Sequence, residues 1–373
     1  MTEDLPVPET RVLAVASHVV SGNVGNRIAV FAMQSLGCDV AALNTVHFSN
    51  HTGYGQWTGT KVSAQEITDL YRGLKQSYLD DFDMMLSGYV PGAPALEAVG
   101  QIAEDLKRHA SARPGSFFWV LDPVMGDNGN LYVAQEVVPV YRGLIRHADL
   151  ILPNQFEAEL LSEVKIQDMA SLQGAIQVIH ERYGVPHIVI TSVSIPHDGH
   201  PASSLSVVGS TMTSDRRARA FKIVFPAIDC YFSGTGDMFA ALMVVRMREA
   251  VWKNQQQQHG GGGAPLSETE AWISDDSVDA LDLPLAKATE KVLASMHEVL
   301  TKTCQAMQAQ VSKARAVAAA AEQENSNGVA NEDAESKENK KLRSIKSRAA
   351  ELRLVRHLDS LRHPKVEFRA ERM

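Results

Sequence analysis

The sequence predicts an α/β fold: a mostly parallel central sheet flanked by helices on both faces, with an antiparallel edge. Three observations predict it. From residue 11 to about residue 250, short β-rich apolar runs alternate with amphipathic spans. Two later apolar runs follow each other with no helix between them. Each predicted strand also ends in polar or Gly-rich sequence, as expected where a ligand sits beyond the carboxyl ends of parallel strands.

The elements follow in order. Residues 1–10 are polar and acidic with two prolines, and read as a flexible N-terminus without the basic and apolar regions of a signal peptide. Strands are predicted at Val12–Ala16, Val40–Thr45, Met84–Ser87, Phe117–Leu121, Leu150–Leu152 and Ile188–Thr191. The amphipathic spans between them are Arg27–Leu36, Ala64–Gln76, Ala95–His109, Gln135–Arg146 and Leu172–Tyr183. Ser204–Ser210 and Ala220–Phe225 form the antiparallel addition, and Asp237–Arg248 and Leu285–Gln310 are helical. These elements make one domain over residues 11–312.

Two segments interrupt the pattern. Residues 254–282 open on Gln255–Gln258, His259 and Gly260–Gly263, and read as a mobile low-complexity loop. Residues 313–345 are poor in large apolar side chains and read as a disordered insert whose Ala-rich start can prolong the preceding helix. Apolar residues return at Glu351–Val355 and Val366–Phe368, so residues 346–373 are expected to pack back on the domain.

Composition excludes several classes. The net charge of −8 gives no electrostatic footprint for nucleic acid. No apolar run approaches the length of a membrane span. The three cysteines, Cys38, Cys230 and Cys304, have neither CxxC spacing nor paired histidines, so neither a zinc site nor a disulfide framework is expected. A reducing, cytoplasmic setting fits. Lys340, Lys341, Arg343, Lys346 and Arg348 form a basic cluster that reads as a solvated linker or as a nuclear-localisation or partner patch.

Ser233–Leu242 carries the chemistry. Gly234 and Gly236 flank Thr235, Asp237 follows, and an apolar helical run begins at once. Free N–H groups at a helix start attract an anion, and a carboxylate there can take a proton from an attacking hydroxyl. By itself the stretch is explained as readily by a turn with an ordinary first-turn acid. The strand ends supply the context: Ser17, Phe48 to Tyr54, Tyr89, Asp122 to Asp127, Asn154 to Glu157, and Thr191 with Ser192 should converge. Asp122, Asp127, Asn154 and Glu157 are oxygen donors suited to Mg²⁺, although Asn154 and Glu157 also have the spacing of a helix capping box. Neither GxGxxG nor GxxxxGK[ST] occurs.

Gly234-Thr235-Gly236-Asp237 resembles the anion-hole and base motif of ribokinase-like kinases. Phe48-Ser49-Asn50-His51-Thr52-Gly53-Tyr54, Asp122-Pro123-Val124-Met125-Gly126-Asp127 and Pro153-Asn154-Gln155-Phe156-Glu157 are similar to the pyridoxal kinase family in particular, as is the tail Leu352-Arg353-Leu354-Val355. The resemblance covers about residues 11–252, the helix near 285–310 and that tail. It implies ATP-dependent phosphorylation of the 5′-hydroxymethyl group of pyridoxal, pyridoxine and pyridoxamine by a homodimer. It implies Asp237 as base and the Gly234, Thr235 and Gly236 amides as anion hole. Ser17 and Thr52 would bond the polar edge of the ring, Val46, Phe48, His51 and Tyr89 would line it, and Tyr132 would lie on a closing loop. Asp122, Asn154, Glu157, Thr191 and Ser192 would meet ATP phosphates and cations, Thr235 and Gly236 the transferred phosphate, and Ile228 and Cys230 the base. Asp122, Asp127 and Glu157 would serve Mg²⁺. Leu152 departs from the threonine the family places before Pro-Asn-Gln-Phe-Glu, which weakens the case for K⁺. Two alternatives stay open: a hydroxymethylpyrimidine-type kinase, and a kinase-fold interaction protein acting through residues 313–345.

Overall fold

Alternation of apolar side chains along each strand decides the layers, because successive residues of a strand face opposite sides of the sheet. In the computed structural model, which describes residues 5–195, 203–257, 264–324 and 344–373, this rule is visible in β1 (Arg11–Val19) and β5 (Phe118–Leu121). Val12, Ala14, Phe118 and Val120 point into one core, and Leu13, Val15, Trp119 and Leu121 into the other. The first core is closed by α1 (Asn26–Ser35), α7 (Thr235–Gln257) and α8 (Pro284–Glu324). The second is closed by α2 (Ala64–Gln76), α3 (Ala93–Ala110), α4 (Val137–Leu144), α5 (Gln155–Ser162) and α6 (Met169–Tyr183).

The other strands are β2 (Asp39–Phe48), β3 (Gly59–Lys61), β4 (Met84–Ser87), β6 (Gly126–Asp127), β7 (Asn130–Leu131), β8 (Leu150–Ile151), β9 (His187–Val193), β10 (Ser204–Met212), β11 (Ala218–Pro226) and β12 (Glu371–Arg372). Ten of the twelve strands among the described residues form one sheet in the order β12-β11-β10-β9-β8-β5-β4-β1-β2-β3, and β6 and β7 form a separate hairpin. Pairing from β2 through β1, β4, β5 and β8 to β9 is parallel. The expected antiparallel edge is β10, β11 and β12, and the short strand β3 adds a second antiparallel edge on the far side. Among the described residues no helix is long and apolar enough to cross a membrane.

Three expectations need correction. The second half of the 254–282 loop is built into the core: Trp272 is 1% exposed, stacks on Phe118 at 4.2 Å and donates its indole N–H to the Gly115 carbonyl at 2.9 Å. One buried aromatic anchors a polar segment that local composition marks as loose; residues 258–263 lie outside the described residues. The helix expected to end near Gln310 continues to Glu324, as the Ala-rich sequence permits, and residues 325–343 of the expected insert lie outside the described residues. Cys230 and Cys304, not expected to pair, form a disulfide across 74 residues, with Cα atoms 6.1 Å apart. Spacing along the chain could not show this, because tertiary packing alone brings the two together.

The tail runs back over the first core, with Leu352, Leu354 and Leu361 buried and Phe368 packed against it. A charged knot ties this layer. The buried Glu249 of α7 accepts from Arg246 at 2.6 Å, Lys253 at 2.6 Å and Lys291 of α8 at 2.5 Å. Arg246, 2% exposed, also donates to the Leu361 carbonyl of the tail.

Candidate active site

The site lies at the carboxyl ends of the parallel strands, where β1 breaks its register with β2 between Ala16 and His18. That irregularity falls on Ser17. The chain then turns through Gly25, which precedes α1 with φ +53°, a left-handed conformation that suits glycine. A Cβ on Gly25 would collide with the Ser17 carbonyl and hydroxyl oxygens. The Gly25 backbone N–H faces the Asp237 carboxylate and favours its charged form. Gly25 therefore lies close to both Ser17 and Asp237.

Asp237 sits in the first turn of α7, directly after the Gly234–Gly236 stretch. Gly234 has φ +82°, and a Cβ there would collide with the Asn23 carbonyl oxygen and Ile28. Gly234→Ala is therefore expected to shift the cradle amides. If the amides of this turn form the anion hole, turnover should fall about tenfold or more, since one misplaced anion-hole donor costs that and beyond. Single-turnover rates at saturating substrates check this.

Acidic groups crowd the neighbouring strand ends. Asp122, buried after β5, has its carboxyl raised well above the usual range by desolvation and by the nearby charges of Glu157 and Asp237. Desolvation pushes Asp237 up to about 6 against the bond from Gly25. Glu157 is 3% exposed and pushed up to about 7 by desolvation, opposed by backbone donors. Those donors are Met125 N–H at 2.8 Å, Gly126 N–H at 3.3 Å and Asn154 N–H at 2.9 Å. Asn154 in turn accepts from the Glu157 N–H at 2.9 Å, completing the capping box, and its amide donates to the Gly126 carbonyl at 2.7 Å. The capping reading of this pair is therefore realised, and it also fixes the loop that carries Asp127. Asp127 is exposed at the β6–β7 hairpin and accepts from the Asn128 N–H at 2.8 Å.

The remaining candidates fall around this centre. Thr191 bridges to Asn154, and the next residue, Ser192, has φ +55°. Thr191, Ser192, Ile228, Cys230 and Thr235 line one cavity of about 210 Å³. Its mainly apolar far wall, including Phe225, Phe232, Met296 and Leu300, was missed from sequence because these residues read only as core. On the other side, Val46 is buried in β2 and Phe48 packs 6.4 Å from Trp57. Half-buried Tyr89 is held through its carbonyl by the Thr45 hydroxyl at 2.7 Å. His51 lies 4.7 Å from the Tyr54 ring, and Thr52 begins a 3₁₀ turn at Thr52–Tyr54. Tyr132 is 63% exposed just beyond the hairpin, so it stands outside the closely packed group.

Comparison with known proteins fits this geometry. A family model described as phosphomethylpyrimidine kinase matches residues 94–251. A putative pyridoxal kinase of Schizosaccharomyces pombe is 36% identical over 293 residues, covering 79% of this chain and 85% of that protein. The pyridoxal kinase of Homo sapiens is 34% identical over 314 residues, covering 81% of this chain and 88% of that protein. The chain belongs to the pyridoxal kinase family. Its fold agrees with that of a family member from Leishmania donovani solved in complex with ADP and pyridoxamine: TM-score 0.71 at 27% identity, covering 98% of this chain and 100% of that one. As a pyridoxal kinase family enzyme it is a phosphotransferase.

Proposed function

We propose that this enzyme uses ATP to phosphorylate the 5′-hydroxymethyl group of pyridoxal, pyridoxine and pyridoxamine. The observation that carries the reading is the placement of Asp237 directly after the Gly234–Gly236 turn and beside Gly25, which itself packs against Ser17. The solved relatives binding ADP with pyridoxamine or with pyridoxine support it.

In this reading Ser17 and Thr52 bond the ring's polar edge, and Val46, Phe48, His51 and Tyr89 line it. Asp237 accepts the hydroxyl proton as the oxygen attacks the γ-phosphorus of ATP, and the bond to ADP breaks. The Gly234, Thr235 and Gly236 amides hold the charge gathering on the transferred phosphoryl oxygens. Positioned donors of this kind carry most of phosphoryl-transfer catalysis. Ile228 and Cys230 flank the adenine cavity, Asn154, Thr191 and Ser192 reach the phosphates, and Tyr132 lies on the loop that covers them.

The donor set fits Mg²⁺. Carboxylates that repel one another, as Asp122, Glu157 and Asp237 do, are stabilised by a nearby cation. Among the described residues no three metal-binding side chains form a cage, which suits an ion that takes one or two carboxylates, waters and substrate phosphates. Asp122 and Asp127 would hold it, with Glu157 acting mainly through the backbone it fixes. When bound, Mg²⁺ would offset phosphate charge. Leu152 is buried and offers only its backbone carbonyl, so a monovalent cation such as K⁺ is less well supported at this strand end.

The test is ATP-dependent phosphate transfer to pyridoxal and to hydroxymethylpyrimidine, each in Na⁺ and in K⁺. Faster turnover of pyridoxal is expected. Preference for hydroxymethylpyrimidine would instead favour the second reading, which the family-model match over residues 94–251 keeps in view.

A further inference from the structure

The C-terminal tail reaches the vitamer side of the site, and one of its side chains has no role in the scheme above. Residues 350–352 are pinned by backbone contacts. The Ser233 N–H donates to the Ala350 carbonyl at 3.3 Å, and Ser233 and Glu351 form an isolated parallel bridge. The Asn23 side-chain amide donates to the Leu352 carbonyl at 2.8 Å. Ser233 directly precedes the anion cradle, and Asn23 is the residue whose carbonyl lies against Gly234. The tail is thus registered on the catalytic turn itself.

From that anchor the Glu351 side chain, 13% exposed, reaches the 51–54 loop. The Tyr54 hydroxyl donates to Glu351 Oε1 at 2.5 Å. The same oxygen lies 3.9 Å from His51 Nε2, a buried nitrogen with no hydrogen-bond partner. Gly22 leaves the room: a Cβ there would come within 3.1 Å of Glu351 Oε1. Tyr54 and His51 also pack ring against ring at 4.7 Å. One carboxylate therefore fixes the loop that holds His51 and Thr52, from a segment registered on the anion hole.

We propose that Glu351 is a positioning residue for the vitamer: through Tyr54 and His51 it sets the 51–54 loop over the ring and couples vitamer affinity to the docked tail. This rests on the B6-vitamer reading above. Because Glu351 touches neither ATP's cavity nor Asp237's donor Gly25, its effect should fall on one substrate.

The experiment compares wild type with Glu351→Ala, Glu351→Gln, Tyr54→Phe and the Glu351→Ala/Tyr54→Phe double variant. KM for pyridoxal, KM for ATP, kcat and thermal midpoint are measured for each. Glu351→Ala and Tyr54→Phe should each raise KM for pyridoxal about tenfold, the scale of one lost charge-assisted hydrogen bond. KM for ATP should stay within about twofold. The double variant should be no worse than the worse single one, since both remove one interaction. Glu351→Gln, which still accepts from Tyr54, should return to within about threefold of wild type. Tyr54→Phe removes the bond with the tail unaltered, so the idea remains testable if Glu351→Ala fails to fold. An unchanged KM for pyridoxal in Tyr54→Phe, an equal rise in both KM values, or a Gln variant no better than Ala would overturn the proposal. A wild-type enzyme that phosphorylates no B6 vitamer would overturn the functional reading together with it. A wild type active on pyridoxal with indifferent variants would overturn this inference alone.

Discussion

Asp237→Asn is expected to lower kcat about 10²–10⁴-fold with the fold intact. The change is nearly isosteric, so substrates should still bind; what is lost is the acceptor for the hydroxyl proton. Stability separates this from unfolding. The folded Asp237 carboxyl is pushed up to about 6 from 3.8, chiefly by desolvation. A carboxyl raised in the folded state contributes stability at pH below 3.8, and that contribution is lost as pH rises through about 6. The neutral amide carries no such loss. At pH 8 the variant should therefore be at least as stable as wild type in urea, while nearly inactive. The base must be ionised to act, so wild-type kcat/KM should rise with pH through about 6 and then level. Glu157, pushed up to about 7, titrates in the same range, and the acid limb belongs to the cluster as a whole. Wild-type turnover by Asp237→Asn would remove Asp237 from the mechanism.

Glu249→Ala is expected to cost roughly 3–5 kcal/mol of folding stability, the scale for breaking one side of a buried ion pair. Glu249 is the one carboxylate shared by Arg246, Lys253 and Lys291, and Arg246 is 2% exposed. Without it a guanidinium stays buried without its counter-charge, and the α7–α8–tail layer loses its knot. Burial alone would raise the Glu249 carboxyl, but Arg246 and the two lysines overcome this and hold it down at about 2. A carboxyl lowered in the folded state contributes stability above its unfolded value near 4.5, and the contribution disappears as pH falls through about 2. Urea midpoints between pH 7 and pH 2 should fall for wild type and change less for Glu249→Ala. Equal midpoints for the two proteins at pH 7 would show that the knot adds nothing.

The fold was legible because buried strands show as short apolar runs and surface helices as amphipathic periods. Val12–Ala16 and Phe117–Leu121 read as strands, and both are inner strands of the sheet. The short strands β3 and β12 carry no such period, and only their partners make them strands. The site was legible where backbone need imposes a residue type. Gly234 before Asp237 marks a close approach, and Asn154 with Glu157 marks a helix start. The apolar cavity wall from Phe225 to Leu300 was not legible, because a residue facing a cavity and one facing a core are the same residue type. Trp272 fails similarly: the segment from Ser267 to Asp276 is mostly polar, and nothing local shows that its ring lies on Phe118.

The sequence by itself determined the alternating architecture, the place of the Gly234–Gly236 turn before α7 and the carboxylates proposed to move a proton or hold a cation. These depend on hydrophobic period and on glycine's freedom, both properties of short stretches. Tertiary structure alone decided that Gly25 lies close to both Ser17 and Asp237, that Glu249 serves three cations, that Cys230 meets Cys304, and that Glu351 reaches Tyr54 across 297 residues. Each is a pairing between distant segments. Its partner is chosen by how two cores and a returning tail close around one sheet, and no local pattern carries that choice.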